Sequence, residues 1–373
     1  MLRVIAYTKD RVRAGSIGAA SSVNCTLVRN AVDGATFEVP LASPQLGVLL
    51  ERGTRVRILD DDSGDALMSG VINKRSASGP DGQSMTCDVE GDWTIFNDIL
   101  AWPVPANPIT NQNVEYRTVT GPLETVLKTV IQENLTRLGL NTKYTVEPTQ
   151  GRGPNVTVKW RFHSIAERIL GLLNSNRVSL EAIMQDNGII HLTYREAQTV
   201  RRTIGIESGI LTKWEWEDTG PEETRHVIGA NGEGTARRLR QVIGTPRETL
   251  WGMIKERFID ARDIEETEPD AALTDRGNEQ LEETAEKTGL VLNLISTPAF
   301  QYGTDYHIGD KVTVSTGSEL GTFTDYLTTV TVSWTHTGGK TFTPSINNIE
   351  SPRSQFYRRM TRWVTATKTI QRR

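Results

Sequence analysis

The sequence predicts a β-rich α+β protein, and three features of its pattern support that prediction. Through the first hundred residues, segments such as TFEVPL and SMTCDVEGD alternate apolar and polar side chains, the period of a strand with one buried face. A helical period replaces this alternation after about residue 120, and strand-like text returns from about residue 209. The 373 residues are enough for two or three domains.

Turn signals separate the short strands of the first hundred residues. The segments DDSGD and SGPDGQS supply the Gly, Pro and Asp that tight reversals need, so this region predicts a small barrel or sandwich. Cys25 and Cys87 both lie in strand-like text with apolar neighbours two positions away. We therefore expect two buried free thiols rather than a disulfide.

The middle of the chain predicts two helices and a hairpin. Thr120 is a plausible N-cap and Gly139 a C-terminal stop for a first helix, whose buried face comprises Leu123, Val126, Leu127, Val130, Ile131, Leu135 and Leu138. Ser164 and Glu167 have the spacing of a capping box at the start of a second helix. The Asp-Asn-Gly sequence at 186–188 then predicts a turn between two strands.

A third helix interrupts the strands of the last part. Pro269 suits its first turn and Gly289 its end, and its residues four apart are Leu273, Gly277, Leu281 and Ala285. The following GLVLNLIST predicts a buried strand. The glycines of GANGEGTARR superficially suggest a dinucleotide loop, but TARRLRQVIG alternates like a strand, so we predict a glycine-rich hairpin.

The pattern of polar residues predicts no catalytic, metal or cofactor site. The five histidines are scattered without a zinc-type spacing, and neither a nucleophile elbow nor a carboxylate pair suited to acid–base catalysis is present. The most suggestive stretch is YGTDYHIGDKVTV, which places Asp305, His307 and Asp310 within six residues. Because Gly303 and Gly309 bracket it, we interpret it as a turn capped by Asp310, with no role assigned to His307.

Charge is unevenly distributed along the chain. Residues 351–373 contain seven Arg or Lys and no acid, so this segment carries +7 and the body −11 of the net −4. At helical spacing after Ser351-Pro352, the segment combines apolar residues with flanking arginines: Phe356, Tyr357, Met360, Trp363, Arg358, Arg359 and Arg362. We predict that this helix docks on a partner protein; packing on its own body, or contact with nucleic acid or membrane, remain alternatives.

Targeting signals are not apparent. The sequence contains no apolar run of the roughly 20 residues that cross a bilayer, and its first residues lack a signal-peptide pattern. We expect the protein to be made and kept in the cytosol until it is assembled or released.

Several segments, in this order, resemble the tail hub, or tail-associated baseplate hub, family of long-tailed bacteriophages, especially minor tail proteins of siphophages that infect actinobacteria. The matching text is LERGTRVRILDDDSGDALMSGVINKRSASGPDGQSMTCDVEGDWTIFNDILAWPVP, VTGPLETVLKTVIQENL, RHVIGANGEGTARRLRQV, KERFIDARDI and YGTDYHIGDKVTV. The resemblance covers the body to about residue 350 and leaves the basic tail without a counterpart.

The resemblance implies a contractile-tail-hub-like fold, with two related β-barrel domains that each have an α+β companion domain, assembled as a pseudo-sixfold trimeric hub. The implied division is a first β-barrel (1–105), an α+β domain (106–205), a second β-barrel (206–250 and 310–350), an α/β insertion (251–309) and a basic amphipathic extension (351–373).

The function implied is structural. The hub closes the tail tube of the virion, anchors tail-tip proteins and forms the channel for DNA ejection; it is assembled in the host cytoplasm. Implied partners are two further copies, the distal tail protein and other tail-tip or baseplate proteins, the tape-measure protein, a central fibre or spike, and phage DNA in transit. No cofactor, stable small-molecule ligand or enzymatic activity is implied, and we expect no fused peptidase or lysozyme-like domain because the chain ends soon after the second barrel.

Two alternatives remain open. A cell-wall polysaccharide hydrolase or binding protein on a β scaffold is favoured if Asp305 and Asp310 converge in a cleft. The hub of a prophage-derived injection device would share the same sequence features.

Overall fold

A computed structural model describes residues 1–18, 20–79, 82–262, 264, 269–294, 300–317 and 319–346. These form two compact units, the first comprising Met1–Trp214 and Val291–Ile346 and the second Glu215–Leu290. Strands predominate over helices, which confirms the β-rich α+β class predicted from the sequence. Among the described residues, no helix combines the length and apolar character that crossing a bilayer demands.

The first part of the chain contains sixteen strands, four α-helices and two short 3-10 helices (Asp92–Thr94 and Ile109–Asn111) in the described residues. The strands are β1 (Leu2–Tyr7), β2 (Arg13–Ser16), β3 (Ser22–Val28), β4 (Gly34–Pro40), β5 (Arg55–Asp60), β6 (Ala66–Ala77), β7 (Ser84–Gly91), β8 (Leu100–Ala101), β9 (Arg117–Pro122), β10 (Tyr144–Val146), β11 (Asn155–Trp160), β12 (His163–Ser164), β13 (Val178–Met184), β14 (Ile190–Glu196), β15 (Ile204–Gly205) and β16 (Leu211–Thr219). The helices are α1 (Leu46–Leu50), α2 (Ile95–Asp98), α3 (Leu123–Arg137) and α4 (Ile165–Ser175).

The remaining described elements complete both units. They are β17 (Arg225–Gly229), β18 (Leu239–Ile243), α5 (Thr245–Trp251), β19 (Glu256–Asp260), α6 (Asp270–Glu283), β20 (Lys287–Leu294), β21 (Lys311–Ser315), β22 (Thr322–Thr335) and β23 (Gly339–Ile346).

One large sheet joins the two sequence ends of the first unit. Its strands run in the order β23-β22-β3-β4-β7-β6-β5-β1-β2, and β21 pairs with the first half of β22. β22 runs antiparallel to β3, with Val332 opposite Cys25. Cys25 and Cys87 are buried and free, as predicted, and burial raises the pKa of the Cys87 thiol to about 11.

The N-cap of helix α3 is Pro122, two residues later than the Thr120 cap predicted from sequence. Thr120 lies inside β9, which pairs with β11 as far as Pro122. The first helical amides, those of Leu123 and Glu124, donate instead to backbone carbonyls of the 152–154 loop at 2.9 and 3.1 Å. A loop carbonyl thus replaces the side-chain cap that the sequence suggested, which the local pattern did not reveal.

The other predictions for the middle helices are largely confirmed. Gly139 has φ +67°, and the amides of Gly139 and Leu140 donate to Thr136 and Leu135, which is the Schellman ending. Ser164 Oγ accepts from the Glu167 amide at 3.2 Å. The predicted apolar face of α3 is buried up to Leu135, whereas Leu138 lies past the last helical turn and is exposed.

The hairpin predicted around Asp-Asn-Gly is formed by β13 and β14. The two strands pair antiparallel, with Met184 opposite Ile190, and Gly188 adopts φ +80° in the connecting turn. The hairpin, α3, α4 and β11 share one apolar core in the first unit, in which Trp160, Leu127 and Ile169 are fully buried. This layer is therefore covered by elements of its own unit.

The second unit is a small sheet with a helix on one face. β17 lies between β18, which runs antiparallel to it, and β19, which runs parallel. The β17–β18 connection is the predicted glycine-rich hairpin: its glycines are followed by a single 3-10 turn, Gly234–Ala236, and then by strand β18 rather than by an α-helix. α6 packs on β17 and β18 through Leu273, Gly277 and Leu281.

Two details of the third predicted helix are wrong. α6 ends at Glu283, so Ala285 lies beyond it, and Gly289 falls inside β20 rather than at a helix end. Thr284 is the C-terminal cap residue, and both its amide and its hydroxyl donate to the Gln280 carbonyl, at 3.1 and 2.8 Å. Gly277 allows α6 to approach the sheet closely, because a Cβ there would lie 2.5 Å from Val242 Cγ2 and 2.7 Å from Ile228 Cδ1.

Candidate functional site

The docking helix predicted from sequence lies outside the described residues. This applies to all seven side chains assigned to it: Phe356, Tyr357, Met360, Trp363, Arg358, Arg359 and Arg362. The candidate sites in the described residues therefore all lie in the body of the chain.

Asp310 serves as a structural anchor within the first unit. Its buried carboxylate accepts hydrogen bonds from the Arg195 guanidinium at 2.8 Å and from the backbone amides of Gln198 and His307 at 2.9 Å each. The His307 bond closes the turn in which Gly309 has φ +87°. The interpretation of this stretch as a turn capped by Asp310 is confirmed.

The other two polar residues of that stretch do not join Asp310 in a catalytic arrangement. Asp305 accepts from the backbone amide of Gln301 at 2.7 Å, in an exposed turn of its own. The Nδ1 atom of His307 lies 3.9 Å from Asp310 Oδ2, beyond hydrogen-bond distance, and its ring lies 5.8 Å from that of Tyr302. Burial and the neighbouring Arg195 lower the pKa of His307.

A partly open cavity of about 390 Å³ in the first unit is lined by a pair of acids, Asp33 and Glu181, that the sequence pattern did not single out. Burial raises the pKa of Asp33 to about 7, against the hydrogen bond that the Val28 amide donates at 2.7 Å, and the nearby Glu181 raises it further. Burial also raises the pKa of Glu181, whose carboxylate accepts from Thr193 at 3.4 Å. Among the described residues, no cluster of three or more His, Cys, Asp or Glu could hold a metal ion.

Glu124 is a buried acid whose pKa is lowered, in contrast to those of Asp33 and Glu181. Its oxygens accept from Lys128 at 2.8 Å, from the Arg152 guanidinium at 2.9 and 3.1 Å, and from the amides of Gln150 and Arg152. Burial alone would raise the pKa of Glu124, but these hydrogen bonds from Arg152 and Lys128 outweigh it and hold the pKa well below its usual range. The network ties α3 to the 150–152 loop and is structural.

An open groove of about 1170 Å³ follows one side of α3. The connector Trp102–Pro108 and the loop Val146–Thr149 form its other walls. Arg137 lies over the Trp102 ring at 4.3 Å, and Arg117 pairs with Glu133 at 2.6 Å, so both arginines contact other residues that line the groove. The groove is polar along α3 and apolar along the proline-rich wall.

The small sheet of the second unit leaves apolar side chains exposed on one face. Opposite the α6 side, its strands place Leu239, Ile243 and Phe258 on one face, where 61%, 43% and 51% of each residue is exposed. Val227 lies between them on the central strand, opposite both Gln241 and Phe258. We call this surface the open face; Gln241, Glu256 and Asp260 lie among its apolar residues, and exposed apolar groups rimmed by polar residues are typical of interaction sites.

Two arginines at the open face are already paired with acids of the same unit. Arg225 makes a two-pronged bond to Glu248 at 2.6 and 2.7 Å. Arg237 bonds Asp260 and lies 5.2 Å from the Phe258 ring centroid. The sequence analysis missed this surface, although the alternation in LRQVI and ERFID places apolar residues on a face that α6 does not cover.

Comparison with known families decides the assignment. Residues 3–348 match the family described as Siphovirus ReqiPepy6 Gp37-like protein. The chain belongs to this siphovirus family. The match covers nearly the whole body and confirms the resemblance to a siphophage tail-protein family that the sequence motifs indicated. No curated protein matches this member of the family.

Solved structures share the fold of this Gp37-like chain at very low sequence identity. The 43 kDa tail protein of prophage MuSo2 from Shewanella oneidensis has a TM-score of 0.59 at 10% identity, covering 92% of this chain and 97% of that one. The tail protein from Neisseria meningitidis MC58 has 0.54 at 11%, covering 93% and 96%. Prophage tail protein gp18 from Listeria monocytogenes EGD-e has 0.52 at 12%, covering 94% and 96%.

Proposed function

We propose that this chain is the hub protein of a siphophage tail tip. Three copies surround the tail axis, close the tail tube, and form the channel through which DNA leaves the particle. The observation that carries this proposal is the fold that the chain shares, over more than nine-tenths of its length, with prophage tail proteins. Membership of a siphovirus family supports the same role.

In the proposed assembly each copy contributes two β-barrels. We assign the barrel strands to 1–105 and to 206–250 with 310–350, and the companion domains to 106–205 and 251–309; the β18-β17-β19 sheet of the second unit then spans the boundary at 250. Two barrels in each of three copies give a pseudo-sixfold ring, which matches a hexameric tube on one side and a threefold fibre or spike on the other. The large sheet that joins β3 to β22 supports a design in which the two ends of the chain build one framework.

The proposed role is non-enzymatic. A polysaccharide hydrolase on this scaffold would need Asp305 and Asp310 to act together in a cleft. Asp310 is instead buried and engaged by Arg195 and two backbone amides, and Asp305 bonds the amide of Gln301. These contacts favour the structural role over the hydrolase.

The hub position also defines the partners. We propose contacts with the distal tail protein and other tail-tip proteins, the tape-measure protein and the central fibre or spike, with DNA passing through without lasting contact. A negative channel wall would keep that passage free of friction, since like charges repel the DNA backbone. The helix at 351–373 is the proposed docking element, through Phe356, Met360 and Trp363.

A nonsense mutation in the gene of the intact phage, grown with and without a suppressor host, tests this function. Without suppression we expect heads but no complete tails, because the tube lacks the hub from which tail-tip proteins are anchored. Suppression restores infectious particles that contain the protein. Infectious particles of normal tail composition in the absence of the protein would overturn the proposal.

A further inference from the structure

We propose that the open face of the second unit receives the C-terminal segment 351–373 of a neighbouring copy. This rests on the proposed trimeric hub and names a second copy of this chain as the docking partner of that segment. The face and the segment would be the two halves of one contact between copies.

Charge is the first support for this pairing. Residues 215–290 contain 19 acidic and 10 basic residues, so the second unit carries a net charge of −9, most of the −11 of the body. The segment 351–373 carries +7 with no acid. Opposite net charges bring such surfaces together at long range and disfavour partners of the wrong sign.

The apolar parts also agree in size. Phe356, Met360 and Trp363 follow each other at intervals of four and three residues, so on a helix they form one stripe about 10 Å long at 1.5 Å rise per residue. The open face is three strands wide, about 10 Å at the spacing of paired strands. A single amphipathic helix of this length covers such a face.

The chemistry of the open face suits burial. Its arginines are already bonded, Arg225 to Glu248 and Arg237 to Asp260, so covering the face leaves no unpaired charge on those side chains. Gly229 gives the Arg237 side chain room to lie across the sheet, because a Cβ at that position would lie 2.8 Å from Arg237 Nε and from Phe258 Cζ. The surface is thus organised before a partner arrives.

A neighbouring copy is the occupant that the hub geometry favours. In a closed ring, each copy donates one segment and receives one, so every face is covered and no end is left to recruit further copies. Amphipathic helices that dock on a partner's apolar surface place their anchor residues three and four positions apart. The segment has this spacing.

Disulfide trapping in the full-length protein tests the exchange. One variant carries Gln241→Cys, which lies on the open face between Leu239 and Ile243 of β18, and another carries Val364→Cys, beside the apolar stripe in sequence; the native thiols Cys25 and Cys87 are buried. We expect the oxidised mixture to give a covalent dimer at least tenfold above a control mixture in which Asn278→Cys, exposed on α6 at the other side of the same sheet, replaces Gln241→Cys. A chain carrying both Gln241→Cys and Val364→Cys should give covalent multimers.

The outcomes separate the possible occupants. A cross-link within single chains of the doubly substituted protein, without dimers in the mixture, would show that the segment covers its own copy and would overturn the exchange. Cross-linking no greater than in the Asn278→Cys control would also overturn it, and would leave an external tail protein as the partner. Three copies in virions whose Gln241→Cys, Val364→Cys chains remain unlinked to one another after oxidation would refute this exchange while leaving the hub function standing.

Discussion

The two helix-and-sheet layers of this chain differ in how they are covered. In the first unit, the β13–β14 hairpin shares a core with two helices and a further strand, and Glu124 is satisfied by five hydrogen bonds. In the second unit, α6 covers one side of a three-stranded sheet and the other side exposes Leu239, Ile243 and Phe258. The apolar faces of the first layer are covered within the chain, whereas the second layer leaves one apolar face exposed, as is typical of interaction sites.

We expect the largest loss of unfolding free energy when the buried Glu124 network of the first unit is broken. Glu124→Gln removes the acceptor of Lys128 and Arg152 and leaves their charges uncompensated, so the free energy of unfolding should fall by about 3–5 kcal/mol. Urea unfolding at pH 7 measures this loss. Because the pKa of Glu124 is lowered in the folded state, its contribution is present above about pH 4 and is lost as the pH falls below that value.

A half-exposed ion pair on the same helix provides the control. Glu133→Gln breaks only the contact with Arg117 and should change the free energy of unfolding by less than about 1 kcal/mol. Equal losses for the two variants would show that burial of the Glu124 network has no special role.

The covered side of the second unit should behave like an ordinary core. Leu281→Ala removes a buried side chain from the α6 contact with the sheet and should cost about 2–5 kcal/mol of unfolding free energy. Chemical denaturation followed by a fluorescent probe in this unit measures the effect. A loss below about 1 kcal/mol would mean that α6 is not firmly packed.

We expect the buried acid Asp33 to make the free energy of unfolding depend on pH, with an effect of intermediate size. The folded-state pKa of Asp33 is raised to about 7 from its ordinary value of 3.8, so between these values the folded state holds more protons than the unfolded state. The free energy of unfolding should therefore fall as the pH rises from about 4 to 7, by at most about 1.4 kcal/mol per pH unit.

Asp33→Asn isolates this effect because the amide oxygen can still accept from the Val28 amide. We expect the variant to lose that part of the pH slope, measured by thermal unfolding across pH 4–8, while the exposed control Asp305→Asn keeps it. An unchanged slope in Asp33→Asn would contradict the raised pKa.

The smallest stability effect is expected on the open face. Leu239→Ala makes the same chemical change as Leu281→Ala, but at a side chain that is already exposed, so the free energy of unfolding should change by less than about 0.5 kcal/mol. The same urea titration compares the two leucines. Equal losses would show that the face is covered within the isolated chain and would remove the distinction between the layers.

Local periodicity predicted the elements well where neighbours in sequence decide them. The apolar stripe of α3, the Gly139 ending and the Ser164 cap all depend on residues within a few positions of one another. The start of α3 was misplaced because its first amides are satisfied by the 152–154 loop, about thirty residues away. Strand periodicity likewise predicted β3 and β22 without showing that they pair.

The candidate surfaces were harder to predict for a related reason. The cavity brings Asp33, Glu181 and Tyr302 together from distant parts of the chain, and no spacing in the sequence connects them. The open face is visible in the alternation of β18 and β19, but only the position of α6 shows which side remains uncovered. The docking residues of 351–373 lie outside the described residues and stay a prediction.

A cryo-electron microscopy map of the assembled tail tip tests the hub proposal most directly. It should show three copies of this chain around the tail axis at the end of the tube, with Leu239 and Phe258 of each copy buried beneath a helix from its neighbour. Six copies, or a single copy at the periphery of the tip, would contradict the trimeric hub.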